Sequence, residues 1–136
     1  PFRVYGDTTV LFDWANPQTD AEGRSFITWT MTASEVATDG WFKDSGAGVL
    51  YLDTLVSEGS GEACDCNGNT IAWESAEQFG SQHVVVKLVS GTGQFEGANS
   101  QYEFDYTPLV SEQNEDGNPV KLVYSFWGEG TIGLVK

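Results

Sequence analysis

The sequence predicts an all-β, single-domain protein (residues 1-136) built as an antiparallel β-barrel, with a β-sandwich as the alternative. About seven to nine segments are rich in β-branched and aromatic residues, and turn signals separate them roughly every ten residues. No segment shows the apolar spacing of a helix. Long strands without a gatekeeping Lys or Pro favour the barrel, because closure removes exposed strand edges.

Two alternating segments open the chain. Residues 2–15 predict a half-buried strand, since Phe12 and Trp14 share one face. Turn-forming residues without periodicity then predict a loop over residues 16–23. Residues 26–33 alternate strictly and predict a strand with a threonine ladder on one side and an apolar face on the other: Ile27, Trp29, Met31 and Ala33.

The middle of the chain gives weaker signals. A turn at residues 37–40 precedes a predicted strand over residues 41–56, which is interrupted at residues 44–46. The Gly-rich, acidic segment 57–69 predicts an exposed excursion. Two short strand pieces follow within residues 70–79, on either side of an acidic kink.

The last third predicts a meander of three strands, at residues 84–89, 101–106 and 120–127. Glycines at positions 91, 93 and 97 predict a tight, bulged connection between the first two strands, because glycine adopts positive φ without a Cβ clash.

The same third of the chain resembles the plant allene oxide cyclases and the wider barrel superfamily that includes dirigent proteins. Residues 91–98 (GTGQFEGA) and residues 119–126 (PVKLVYSF) carry the resemblance. It implies an eight-stranded barrel, a trimer, and a pocket that cyclises a fatty-acid epoxide or steers the coupling of phenolic radicals. Residues 2–17 lack the plant enzymes' N-terminal catalytic run, so the resemblance assigns no catalytic residue.

Charge and composition exclude several partners. The formal net charge of −14 argues against nucleic acid and against an anionic membrane, since both require clustered Lys and Arg. No apolar run reaches the roughly twenty residues of a membrane helix. Few lysines and many small polar residues favour an exported protein over a cytoplasmic one.

Neither a metal nor a cofactor is expected. Cys64 and Cys66 have one residue between them and no second pair, which argues against zinc and leaves a local disulfide and free thiols as alternatives. A single histidine excludes multi-histidine metal sites.

Candidate functional residues are aromatics and a few titratable groups. A small hydrophobic molecule is expected to bind the aromatic lumen, which the sequence assigns to Trp14, Trp29, Met31, Trp41, Tyr51, Trp73, Tyr102, Tyr124 and Phe126. Asp13 and Glu74 are catalytic candidates because flanking aromatics would desolvate a carboxylate, and His83 because it titrates near neutral pH. The leading hypothesis is a cofactor-independent cyclase or isomerase, and the alternative is a non-catalytic binding or scaffold barrel.

Overall fold

The protein is all-β, as the sequence predicts. A computed structural model of the chain describes residues 2–38, 40–65, 67–130 and 133–134. Its strands are β1 (Phe2–Thr19), β2 (Ser25–Ala37), β3 (Gly40–Tyr51), β4 (Val56–Asp65), β5 (Thr70–Gln78), β6 (His83–Gly91), β7 (Ala98–Gln113), β8 (Pro119–Gly130) and β9 (Gly133–Leu134). A three-residue 3-10 helix, Gly93–Phe95, lies between β6 and β7.

The eight long strands close into an antiparallel barrel. Each strand from β1 to β8 pairs with the next, and β1 pairs with β8 through Val10 and Leu122 among others. The two-residue strand β9 adds to β7 at Ala98 and Asn99. Closure leaves no long strand with a free edge in the described part of the chain, which confirms the barrel over the sandwich.

Strand alternation determines which side chains fill the lumen. In β2 the side chains at odd positions from Ile27 to Glu35 point inward, and the strand pairing places the side chains at even positions of β1 and β3 inward beside them. The threonine ladder therefore lies outside, as predicted, with Thr30 and Thr32 exposed. Ile27 and Leu50, opposite each other on β2 and β3, have no exposed surface.

Three predictions for the middle of the chain are wrong. Strand β3 runs through residues 44–46 without interruption, and β5 runs through the acidic segment 74–76. The predicted excursion at residues 57–69 is mostly strand β4. The two glycines of β4, Gly59 and Gly61, occupy luminal positions, where the lack of a side chain leaves room for aromatic rings rather than marking a loop.

Four glycines of β3 and β4 leave space for two indole rings in the lumen. They pair across the strands, Gly46 with Gly61 and Gly48 with Gly59. A Cβ atom at Gly46 would lie 2.6 Å from the ring of Trp73, and a Cβ at Gly48 or Gly59 would overlap the ring of Trp29. The two tryptophans therefore lie directly on the backbone of these strands.

One end of the barrel is sealed. Phe42 and Phe95 meet there at 5.6 Å between ring centroids, and Val4 and Ala98 are buried beside them. Phe95 comes from the 3-10 helix in the predicted glycine-rich connection, where positive φ at Gly93 confirms the tight turn. We call this the sealed end.

The opposite end carries the β1–β2, β3–β4, β5–β6 and β7–β8 turns, and we call it the open end. Its inward side chains Phe12, Trp14 and Phe79 are only partly buried, and Phe12 meets Phe79 at 5.8 Å between ring centroids. The lumen therefore approaches solvent at this end.

The predictions for the cysteines and for membrane helices can be compared with the described residues. Cys64 is exposed on β4, while Cys66 lies outside the described residues, so the disulfide stays a prediction. Among the described residues, no helix has the length and apolarity that crossing a membrane requires.

Candidate functional site

A cavity of about 90 Å³ occupies the lumen between the sealed end and the open end. One wall is aromatic and comes from β7 and β8. The other wall comes from β2, β3 and β5 and carries carboxyl groups. The site therefore combines apolar surface with a small number of polar side chains, the usual composition of a ligand pocket.

The aromatic wall is a continuous cluster of rings. Phe104 meets Phe126 at 4.9 Å between centroids, and Tyr106 meets Tyr124 at 4.3 Å. Tyr124 also lies 6.3 Å from Phe126 in an edge-to-face arrangement. Such spacings are those of stabilising aromatic pairs, so the wall is held by its own contacts.

Two carboxyl groups form a buried pair on the opposite wall. Glu35 on β2 is only 6% exposed, and its side chain is hydrogen-bonded to that of Asp44 on β3. Burial, and then the charge and hydrogen bond of Asp44, raise the pKa of Glu35 to about 9. The pKa of Asp44 is also raised by burial, although its bonds from Glu35 and from Trp73 Nε1, at 2.6 Å, oppose this. With a pKa of about 9, Glu35 is protonated at neutral pH and donates the hydrogen bond that joins it to Asp44.

A third carboxyl group lies nearer the open end. The Tyr106 hydroxyl donates a hydrogen bond to Glu77 Oε1 at 2.6 Å. Burial raises the pKa of Glu77 to about 7, against the opposing effects of the Tyr106 bond and the charge of His83. Burial also raises the pKa of Tyr106, so this phenol stays protonated. Glu77 is therefore divided between its two protonation states at neutral pH.

In the described part of the chain, no cationic side chain lines the cavity. Every Lys, Arg and His side chain in the described ranges lies outside its lining: Arg3, Arg24, Lys43, His83, Lys87 and Lys121. Among the described residues, the luminal carboxyl groups are therefore hydrogen-bonded to neutral donors and to one another, and none forms an ion pair with a cationic side chain.

Six of the nine aromatic and apolar residues assigned to a ligand do line the cavity: Trp29, Met31, Trp73, Tyr102, Tyr124 and Phe126. The other three do not. Trp14 points inward at the open end, where its Nε1 donates to the Pro119 carbonyl. Trp41 is 65% exposed on the outer wall, and Tyr51 points outward beneath the Arg24 guanidinium, because both occupy odd positions of β3.

The three predicted catalytic residues lie outside the lumen. Asp13 accepts hydrogen bonds from Asn16 Nδ2, and Glu74 is exposed opposite Lys87. The aromatics that flank Asp13 and Glu74 in sequence point to the other face of each strand and do not desolvate them. Their catalytic role stays a prediction without support from this geometry.

His83 is bound to carboxylates on the outer surface. Its Nδ1 lies 2.7 Å from Asp105 Oδ1, and its Nε2 lies 3.4 Å from Glu103 Oε1. These two bonds raise the pKa of His83. The residue is placed to form surface ion pairs rather than to face a luminal ligand.

Sequence reasoning missed all three luminal carboxyl groups, although their signal was present. Glu35 continues the odd-numbered apolar face that begins at Ile27, and Asp44 is in phase with Phe42. Glu77 is likewise in phase with Trp73. A carboxylate on the apolar face of an alternating strand is the sequence pattern that indicates a luminal carboxyl group.

Comparisons of the chain with models of protein families, with curated proteins and with solved structures return no match. The family resemblance and the trimer that it implies therefore stay predictions. The site itself places two carboxyl groups with raised pKa values, Glu35 and Glu77, on the wall of one cavity.

Proposed function

We propose that the barrel binds a compact, largely apolar molecule in its lumen and catalyses its isomerisation or ring closure by proton transfer, without a cofactor. One observation carries the proposal: Glu35 and Glu77 line the same cavity, and burial raises their pKa values to different levels, about 9 and about 7. Titratable groups whose environments separate their pKa values in this way are the usual basis of acid and base roles in an active site.

The two carboxyl groups supply a balanced proton transfer. The Glu77 carboxylate removes a proton from a C–H bond of the substrate, and the electron pair moves into the substrate. The Glu35–Asp44 pair donates its proton to a second atom of the same molecule, so the formula of the substrate is unchanged. Exchange with solvent at the open end then returns a proton to the pair and removes one from Glu77.

Other luminal residues orient both groups. The Tyr106 hydroxyl fixes one oxygen of Glu77, and Trp73 Nε1 fixes Asp44. Trp29 is held in turn by its Nε1 bond to Ser57 Oγ at 2.9 Å. The aromatic wall limits the conformations of a flexible substrate and excludes water, which favours ring closure over addition of solvent.

A non-catalytic barrel is the second candidate, and two observations favour it. The cavity of about 90 Å³ is well below the roughly 300–1,000 Å³ of sites for drug-sized ligands. Among the described residues, every buried side-chain nitrogen or oxygen has a hydrogen-bond partner. A lumen of this kind is also what a scaffold with a polar network in its core would have.

The proposal is tested with cyclopentanone, a compact ketone, as a probe of proton abstraction. We expect the protein to accelerate exchange of its α-hydrogens for deuterium in D₂O near neutral pD, followed by NMR. Glu77→Gln should reduce the accelerated rate by about 100-fold or more, because it removes the base, and Glu35→Gln should also reduce it by removing the donor to the carbonyl oxygen.

Glu74→Gln is the matched control, because Glu74 lies on the same strand as Glu77 but on its outer face. This variant should exchange at the rate of the unaltered protein. Exchange no faster than in buffer alone would reject the catalytic proposal and leave the non-catalytic barrel.

A further inference from the structure

We infer that the luminal site takes a small organic amine in its cationic form, with the ammonium group at the Glu35–Asp44 pair and the apolar part against the aromatic wall. This inference rests on the proposed function and names the class of ligand for the same cavity. It is carried by the arrangement of charge and aromatic surface around the cavity.

The wall of the cavity that holds the carboxyl groups is negatively charged when they are ionised. Glu35 and Asp44 are hydrogen-bonded to each other, and the pair carries one negative charge when Asp44 is ionised. Glu77 adds a second negative charge when it is ionised. No described Lys, Arg or His side chain lines the cavity to balance these charges. In a lumen of low dielectric constant a monovalent cation is therefore attracted, whereas a carboxylate or phosphate is repelled.

An aromatic wall lies opposite the carboxyl groups. Phe104, Tyr124 and Phe126 form one cluster, and Trp29 and Trp73 line the same cavity. Aromatic rings attract a cation through their quadrupole, and cages of such rings are a common way of binding alkylated ammonium groups. A neutral apolar ligand would gain from the rings but would leave the carboxylate without a counter-ion.

The outer surface of the same chain already combines a cation, an aromatic ring and a carboxylate. The guanidinium of Arg24 lies 4.4 Å from the ring centroid of Tyr51, and its Nε lies 2.8 Å from Asp20 Oδ2. There the cation, the ring and the carboxylate all come from this chain. In the lumen the ring and the carboxylate are present, and the ligand supplies the cation.

The cavity size limits the amine. A volume of about 90 Å³ excludes a long alkyl chain unless the partly buried Phe12, Met31 and Phe79 move aside. The ligand class is accordingly a compact primary or methylated amine.

Three probes of nearly the same shape test the inference: tert-butylammonium, neutral tert-butanol and anionic pivalate. We expect tert-butylammonium chloride to raise the Tm by ~3 °C or more at about 20-fold above its Kd, relative to sodium chloride at equal ionic strength. Neither tert-butanol nor sodium pivalate should do so. Trp fluorescence should saturate with the cation alone, because Trp29 and Trp73 line the cavity.

Two variants make the test specific. Asp44→Asn keeps the side-chain shape but removes the carboxylate, and it should abolish the response to tert-butylammonium. Asp13→Asn removes a carboxylate on the outer face and should leave the response unchanged. Circular dichroism of each variant confirms that the barrel is folded.

The outcomes separate this inference from the proposed function. Equal binding of tert-butanol, binding of pivalate, or no response to tert-butylammonium would overturn the amine assignment, whatever the result of the cyclopentanone exchange. Binding of the cation without cyclopentanone exchange would support the amine assignment and remove the catalytic proposal, which leaves an amine-binding barrel.

Discussion

At the scale of single residues, Glu35 links folding to pH. Its pKa rises from an ordinary 4.5 to about 9, mainly because it is buried. Between these two values the folded chain holds a proton at Glu35 that the unfolded chain releases. Stability contributed by the neutral carboxyl is therefore fully present below about pH 4.5 and is lost as the pH rises toward 9.

The variant Glu35→Gln should flatten this dependence. An amide cannot ionise, so the variant should lose less stability between about pH 5 and pH 9, with a difference from the unaltered protein on the order of 2 kcal/mol at the alkaline end. Urea unfolding at several pH values measures the difference. Glu74→Gln controls for the loss of one surface charge, and a parallel pH profile for Glu35→Gln would contradict the assignment.

The luminal carboxyl groups also show where sequence reasoning reaches its limit at this scale. Alternation placed Trp29 and Met31 inside correctly, because a period of two is a property of any strand. Asp13 and Glu74 are predicted as catalytic residues from their aromatic neighbours in sequence, but adjacent residues of a strand face opposite sides. The hydrogen bond between Glu35 and Asp44 depends on strand pairing, which one sequence does not specify.

At the scale of elements, β4 is where composition was misleading. Its glycines and acidic residues are typical of a loop. The closeness of Gly59 to the Trp29 ring and of Gly61 to the Trp73 ring explains the glycines. The strands of the meander were predictable because their β-branched and aromatic residues satisfy both propensity and burial. Strand β4 has low propensity and forms because β3 and β5 pair with it on both sides.

Adding a methyl group to one of the glycines beneath the tryptophan rings should destabilise the barrel. In Gly59→Ala the new Cβ would overlap the Trp29 ring, so the indole must shift and its bond to Ser57 weakens; in Gly48→Ala the Cβ would overlap the same ring and would also overlap the Glu58 carbonyl oxygen. We expect a loss of about 1–3 kcal/mol in the free energy of unfolding, measured by urea denaturation. The control is Ala47→Ser, an exposed neighbour on β3; equal stability of all three variants would show that the ring has room to move.

At the scale of the whole molecule, the net charge of −14 sets the response to salt. Repulsion among surface carboxylates opposes the compact state, and added ions screen it. We expect the Tm at pH 7 to rise by several degrees between about 10 mM and 150 mM sodium chloride, whereas an equally concentrated neutral osmolyte should have little effect. A Tm that falls with salt would mean that attractive ion pairs, such as Arg3 with Glu129, dominate the surface instead.

The pairing of β1 with β8 imposes an order on biosynthesis. A ribosome releases Phe2–Thr19 long before Pro119–Gly130, so one side of the first strand has no partner until the eighth strand has been made. Until then, that side can bind another nascent chain or a chaperone. The ring can close only after the eighth strand has emerged, and its folding is expected to be slow because the pairing that completes it joins distant parts of the sequence.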